Sequence, residues 1–457
     1  MASTPTATVV GRLTELARRR TLPEPVINKT RVVLGDALAL ALEARSTAAG
    51  RSVLALAAAA PAGPATVVGL DRRVASESAV LVNSALIHSL LRDDAHAGSL
   101  LHPAAVVLPV ALALAEETRA PTSDLLAAIV GGYEVLAAVA APVASATANR
   151  GLRNTAVFGP IGAAAAAGIL LGLDDERFAA ALLIAAGNAG GTLQAFRAGS
   201  PEWRFQPGLS AQLGVTAARL AAALDPELVP FPDDALEGPH GLYAVLAGEE
   251  VDPGSSIPLA PRALLEVSHK LHATCGANQV PVAALFSILE SGVDADEIVR
   301  IDAYLSQASF DYPGCEDYGP FRVGGTFLSR PFALAAAALA GRGPLGERET
   351  LAALKDPRLD SLAHTVHSHV VPDGDLRSPQ DAWVSVEIAD GSVHRVGSDE
   401  LDDRDLQPDW AAIADRLRDV DPDAGAQIVA ALAEFPTIDV DDLMAPVRSP
   451  LRRSENP

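Results

Sequence analysis

The chain has 457 residues, with 35 basic against 57 acidic side chains and a formal charge of -22 at neutral pH. That balance argues against nucleic acid and against an anionic membrane surface as partners, although a locally basic pocket can still hold an anionic small molecule. It is 49% hydrophobic but only 4% aromatic, which suits closely packed Ala- and Leu-rich helices and leaves material for two or three domains.

In chain order, residues 6 to 60 read as helices broken at Leu22-Pro23-Glu24-Pro25. Helical segments follow at about 76–91, 103–118, 123–147, 158–171, 175–195 and 208–224, with caps expected at Ser76, Thr122-Ser123 and Asp174-Asp175. No strand pattern interrupts this block. The most membrane-like stretch, Thr155 to Leu173, lacks charge but is built of Ala and Gly, so a buried helix is expected and no membrane partner.

After Pro261 the pattern changes. Ile298 to Tyr304 alternates, with Val299, Ile301 and Ala303 on one face. Val384, Val386 and Ile388 alternate too, and Asp390-Gly391 supplies a two-residue turn into Ser392 to Val396. Residues 362–372 are a further strand candidate, and helices return at 409–420 and 423–434. The expected fold class is mainly α: a large all-helical domain over 1–265, a smaller α+β lid over 266–400, and C-terminal helices over 401–457 that rejoin the first domain and end in a loose tail from Arg448. Cys275 and Cys315 form no disulfide framework, and the N-terminus shows no secretory pattern, so a reducing cytoplasmic setting is expected.

Three constellations carry chemistry. The segment Ile87 to Pro103 holds His88, Asp93, Asp94, His96 and His102, in a chain with ten histidines. Imidazoles beside carboxylates serve acid–base catalysis, substrate binding or metal ligation on a pair such as Asp93 and His96. The spacing matches no strong metal signature, and His88, on an apolar helical face, reads as structural. Ser268 to Gly276 gathers Lys270, His272 and Cys275 at the domain junction. Lys270 is one of only three lysines and suits a carboxylate or an enolate-like charge. Arg153 precedes a helix start, where guanidinium and free N–H groups favour an anion. Trp203 and Gln206 lie in a polar segment able to face the same pocket.

The order of these motifs resembles the MmgE/PrpD family, which includes 2-methylcitrate dehydratase, cis-aconitate decarboxylase and iminodisuccinate epimerase. The matching segments are Asp36 with its helix, His88 to Pro103, Gly131-Gly132-Tyr133-Glu134-Val135, Gly151 to Gly172 with Leu173-Asp174, Gly208 to Ala223, Leu236 to Leu242, and Lys270 with Cys275. They run from about residue 8 to 435. The resemblance implies a helical domain with an α+β lid, a homodimer, and cofactor-independent lyase or isomerase chemistry on a small carboxylate. Proton abstraction beside that carboxylate would fall to His102, Lys270 and Asp93, with Asp94, His96, Arg153, Trp203, Gln206, His272 and Cys275 binding substrate. The sequence departs from the decarboxylase-like pattern at Leu91 (aspartate there), Ala95 (threonine), Arg153 (histidine), Trp203 (lysine), Gln206 (histidine) and Phe332 (tyrosine). Arg153, Trp203 and Arg330 would then reshape the pocket. A family member without catalysis, acting as a binding or partner protein, is the alternative.

Overall fold

The structure is a computed structural model that describes residues 8–18, 22–229, 234–247, 257, 262–378 and 380–448. The N-terminal part opens with α1 (Val9–Ala17), α2 (Glu24–Ala44) and α3 (Ala48–Ala59). A short antiparallel pair follows, β1 (Ala62–Thr66) and β2 (Arg73–Val74). Then come α4 (Ser76–His88), α5 (Pro103–Thr118), α6 (Thr122–Ala140), α7 (Ala144–Asn149), α8 (Asn154–Leu170), α9 (Asp175–Ala186), α10 (Gln194–Ala198) and α11 (Gln206–Ala223).

These helices share one core, to which Ala and Gly admit close backbone approach. At Gly214 of α11 an added Cβ would stand 2.3 Å from the Cβ of Ala163 on α8, so the α8–α11 contact depends on that glycine. The whole of α8 is buried, as its Ala-rich sequence implied. Among the described residues the longest apolar helical run is instead Thr122–Asn149, and 89% of its most apolar window is packed inside the fold.

The rest of the chain carries α12 (Leu242–Ala247), α13 (Ala263–Glu266), α14 (Gln279–Glu290), β3 (Ile298–Leu305), α15 (Gln307–Asp311), α16 (Arg330–Ala340), α17 (Glu347–Ala353) and α18 (Leu359–His364). Then follow β4 (Val366–Val370), β5 (Ala382–Ile388), β6 (Val393–Gly397), α19 (Asp403–Leu406), α20 (Trp410–Val420), α21 (Pro422–Ala433) and α22 (Val440–Met444). The sheet order is β4-β3-β5-β6, parallel between β4 and β3 and antiparallel elsewhere. Val282, Leu285 and Phe286 of α14, Phe332 to Ala338 of α16, and Ile301, Val384 and Val386 of the sheet form a second core. The C-terminal helices contribute Ile413, Leu417, Ile428 and Leu432 to the first core. There an added Cβ on Gly35 of α2 would lie 2.8 Å from the Trp410 ring.

Several expectations change. A hairpin, β1–β2, does interrupt the helical block. The helix expected over 123–147 breaks at Ala141–Val143, where Pro142 removes a backbone donor. Of the expected caps only Asp174 acts as one, accepting from the Arg177 N–H at 2.8 Å; Ala75 and Pro121 occupy the other cap positions. Val299 turns out to solvent because the β3–β5 register slips between Ile298 and Arg300. β5 and β6 are joined by Ala389 to Ser392, with Ile388 N–H donating to Ser392 C=O at 3.1 Å across the turn. Gly391 takes the left-handed conformation (φ 85°) that such loops require. Arg448 is tied down, its Nε donating to Thr66 Oγ1 at 3.0 Å; the rest of the expected tail lies outside the described residues.

Candidate active site

After α4 the chain must reverse twice before α5. It does so by placing Leu91 (φ 51°) and Leu100 (φ 55°) in the left-handed region, at a cost of roughly 1–2 kcal/mol each for a residue with a Cβ. Pro103 at the first position of α5 leaves His102 as the residue before the helix. Ala95 N–H donates to Ser268 C=O at 2.8 Å, and Ser268 N–H returns to Ala95 C=O at 2.9 Å. This two-bond bridge joins the first two constellations across 173 residues of sequence and sets Lys270 against the histidine segment.

Inside lies a continuous polar chain. An Arg153 guanidinium N–H donates to His88 Nε2, so the His88 proton must sit on Nδ1, which donates to Asp93 Oδ2 at 2.7 Å. Asp93 Oδ2 lies 3.8 Å from His102 Nδ1. His102 Nδ1 in turn donates to the Asp94 carbonyl at 2.8 Å, leaving Nε2 as that ring's basic nitrogen. Lys270 Nζ is buried and makes no hydrogen bond among the described residues.

Burial dominates the electrostatics. It pushes His88 and His102 well below the ordinary histidine range; Arg153 and Lys270 reinforce this at His88, as does Lys270 at His102. Both rings are therefore neutral at pH 7. Burial also raises Asp93, against the nearby charges of His102, Lys270 and Arg153. It lowers Lys270, with Asp93 opposing.

A pocket opens on this chain, lined by His102, Lys270, Arg153, Asn154, Thr155, Cys275 and Tyr312, and on its apolar side by Leu91, Leu100, Leu152, Phe196 and Leu328. It includes the N-terminus of α8, which no side chain caps. The N–H groups of Asn154 and Thr155 donate to nothing among the described residues, so positive dipole, ammonium and guanidinium converge there. The free space is about 30 Å³, room for about two waters.

Thus His102, Asp93, Lys270, Arg153 and Cys275 come together. Other expected site residues stand apart. Asp94 is enclosed, accepting from Ala104 N–H and the Tyr133 hydroxyl, both at 2.8 Å. His96 faces away, bonded to Ser99 Oγ at 2.6 Å and to Glu266 at 3.3 Å, so it shares no metal-ligating geometry with Asp93. Trp203 is core, stacked on Phe196 at 5.0 Å with Nε1 bound to Gly324 C=O. Gln206 accepts from Arg153 at 3.2 Å and so positions it from outside the pocket. His272 packs on Phe286 and accepts from Leu345 N–H. Arg330 is spent on Glu316, Ser368 and Ser309, and Phe332 belongs to the second core. Sequence reasoning missed Tyr312, which follows a five-residue helix and carries no periodic signal. It also undervalued His88, whose apolar neighbours concealed a hydrogen-bonded ring.

The model of the MmgE/PrpD N-terminal domain matches residues 12–253. The chain belongs to the MmgE/PrpD family. It is 31% identical over 232 residues to a cis-aconitate decarboxylase-like protein (oryM) of Aspergillus oryzae, covering 48% of each chain. It is 31% identical over 207 residues to cis-aconitate decarboxylase of Aspergillus terreus, covering 44% of this chain and 42% of that one. The chain spans about half the length of the curated relatives it matches. In this MmgE/PrpD chain the matched region supplies His88, Asp93, His102 and Arg153, while Lys270, Cys275 and Tyr312 lie beyond it.

Proposed function

We propose that the protein is a lyase of the dehydratase or decarboxylase type that removes a proton beside a carboxylate group of a small substrate. One observation carries the reading: the unpaired, buried ammonium of Lys270 and the free Nε2 of His102 line one pocket. A substrate carboxylate docks at the α8 N-terminus beside Lys270 and Arg153. His102, held by the Asp94 carbonyl, takes the neighbouring proton on Nε2. Negative charge then developing on the substrate is stabilised by Lys270, in a site from which water is largely excluded. Asp93 offsets the imidazolium that forms. In a dehydration the electron pair forms the C=C as the β C–O bond breaks, and the His102 imidazolium returns its proton to the departing hydroxide, which leaves as water. In a decarboxylation His102 returns its proton to the substrate, and the pair freed by loss of CO2 takes up a proton from solvent.

The relatives' names support this reading at the level of reaction type, and a site with one general base and one unpaired ammonium supports the deprotonation step. The test is proton exchange into candidate di- and tricarboxylates in D2O, followed by NMR. Exchange that disappears in His102→Gln and Lys270→Met supports the enzyme. Carboxylate binding without exchange across the panel overturns it in favour of a binding protein.

A further inference from the structure

The apolar side of the pocket is not used by the chemistry above. Leu91, Phe196 and Leu328 belong to one apolar cluster, and Leu100 and Leu152 extend it along the cavity. Leu91 and Leu100 are held there by left-handed backbone that leucine seldom adopts, so these turns point bulky alkyl groups where a short polar residue would sit with less strain.

The charges on the opposite side are few. Lys270 and Arg153 are the cations, and Arg153 already spends three of its four terminal N–H bonds on Trp203 C=O, Gln206 and His88. Lys270 and Arg153 together give +2 with Asp93 protonated and +1 with it ionised, and less where the Cys275 thiol, lowered to about 7 chiefly by its bond with Cys315, is ionised. None of these balances three carboxylates, and a carboxylate against the leucine wall would be desolvated without a donor.

We propose that the substrate is a mono- or dicarboxylate bearing an alkyl substituent, which Leu91, Leu100 and Leu152 receive while Lys270 and the α8 N-terminus hold a carboxylate. The inference rests on the deprotonation reading for the anion-binding half of the pocket. Leu91 and Leu100 are then the specificity-determining residues.

Calorimetric binding of succinate, 2-butylsuccinate and propane-1,2,3-tricarboxylate to the full chain tests it. Each methylene buried is worth about fourfold in affinity, so butylsuccinate should bind at least tenfold more tightly than succinate, and the tricarboxylate more weakly than either. Leu91→Asn, a neutral residue that tolerates left-handed backbone, should erase the butyl preference while changing succinate affinity only a few-fold. Leu100→Ser, at a half-buried position, serves the same purpose if circular dichroism shows that L91N does not fold. A tricarboxylate that binds as tightly as butylsuccinate, with Lys270→Met abolishing both, overturns the alkyl proposal and leaves the anion site standing. Binding of all three that ignores K270M, or no binding of any, removes the anion site itself and with it both readings.

Discussion

His102 donates its Nδ1–H to the main-chain carbonyl of Asp94 across 2.8 Å. A carbonyl only accepts, so this bond fixes the tautomer and makes Nε2 the one nitrogen able to take a proton. Backbone, unlike a carboxylate, keeps that role at every pH.

The first prediction concerns this ring. Burial, with Lys270 next, holds the His102 pKa well below 6.5, so its base form persists across the neutral range and is lost only in acid. NMR titration of the His102 Cε1 proton should give a midpoint below the ordinary histidine value, and Lys270→Met should move it upward. His102→Gln should lower the exchange rate by about 10²–10⁴-fold. A midpoint near 6.5, unmoved by K270M, would contradict the electrostatic account.

Lys270→Met separates function from stability. The native ammonium is buried without a hydrogen bond and its pKa is lowered, chiefly by burial, so the charged form destabilises the fold. Removing it should raise unfolding free energy at pH 7 by about 1–3 kcal/mol while abolishing substrate binding. The penalty applies below the folded-state pKa and fades as pH rises, so denaturant melts of the two proteins should converge in alkali. Destabilisation of K270M at pH 7 would mean that the ammonium has a partner.

Asp94 should govern stability between acid and neutral pH. Its pKa is raised to about 7, first by burial and then by the Asp93 charge, against bonds from Ala104 N–H and Tyr133. The folded value lies above the ordinary carboxyl value of about 3.9. Its contribution is therefore fully present below about pH 4 and lost as pH rises through 7. Asp94→Asn, which keeps an acceptor for Ala104, should flatten that stretch of the stability profile in urea melts. An unchanged slope between pH 4 and 7 would refute the assignment.

Arg119 is exposed and ends α5 in left-handed backbone (φ 54°). Arg119→Gly should stabilise the protein by about 1 kcal/mol, because glycine adopts this cap without strain. Thermal melts measure it, and a lower melting temperature would show that the side chain matters elsewhere.

Helix positions were legible because Ala- and Leu-rich periodicity and Pro103 are local signals; α5 falls where the sequence reads it. The β1–β2 pair was not legible, since Ala-Gly-Pro-Ala-Thr has no alternation and its pairing depends on the turn and on α5 beneath it. At the site, residue type indicated His102, Asp93, Lys270 and Arg153. It also pointed to His96 and His272, which the structure places outside the pocket in packing and loop closure, and gave no sign of Tyr312, whose place depends on chain path alone.

By itself, then, the sequence determined that helices of small residues would pack closely, where several of the N-terminal and C-terminal ones lie, and which few titratable side chains were available for chemistry. Only the tertiary structure decided which of them meet. The Ala95–Ser268 bridge draws Lys270 to His102, the Arg153–His88–Asp93 chain fixes tautomers, and left-handed turns at Leu91 and Leu100 set an apolar wall opposite. The reason is physical: hydrogen-bond direction and burial belong to contacts between distant segments, and no local pattern encodes them.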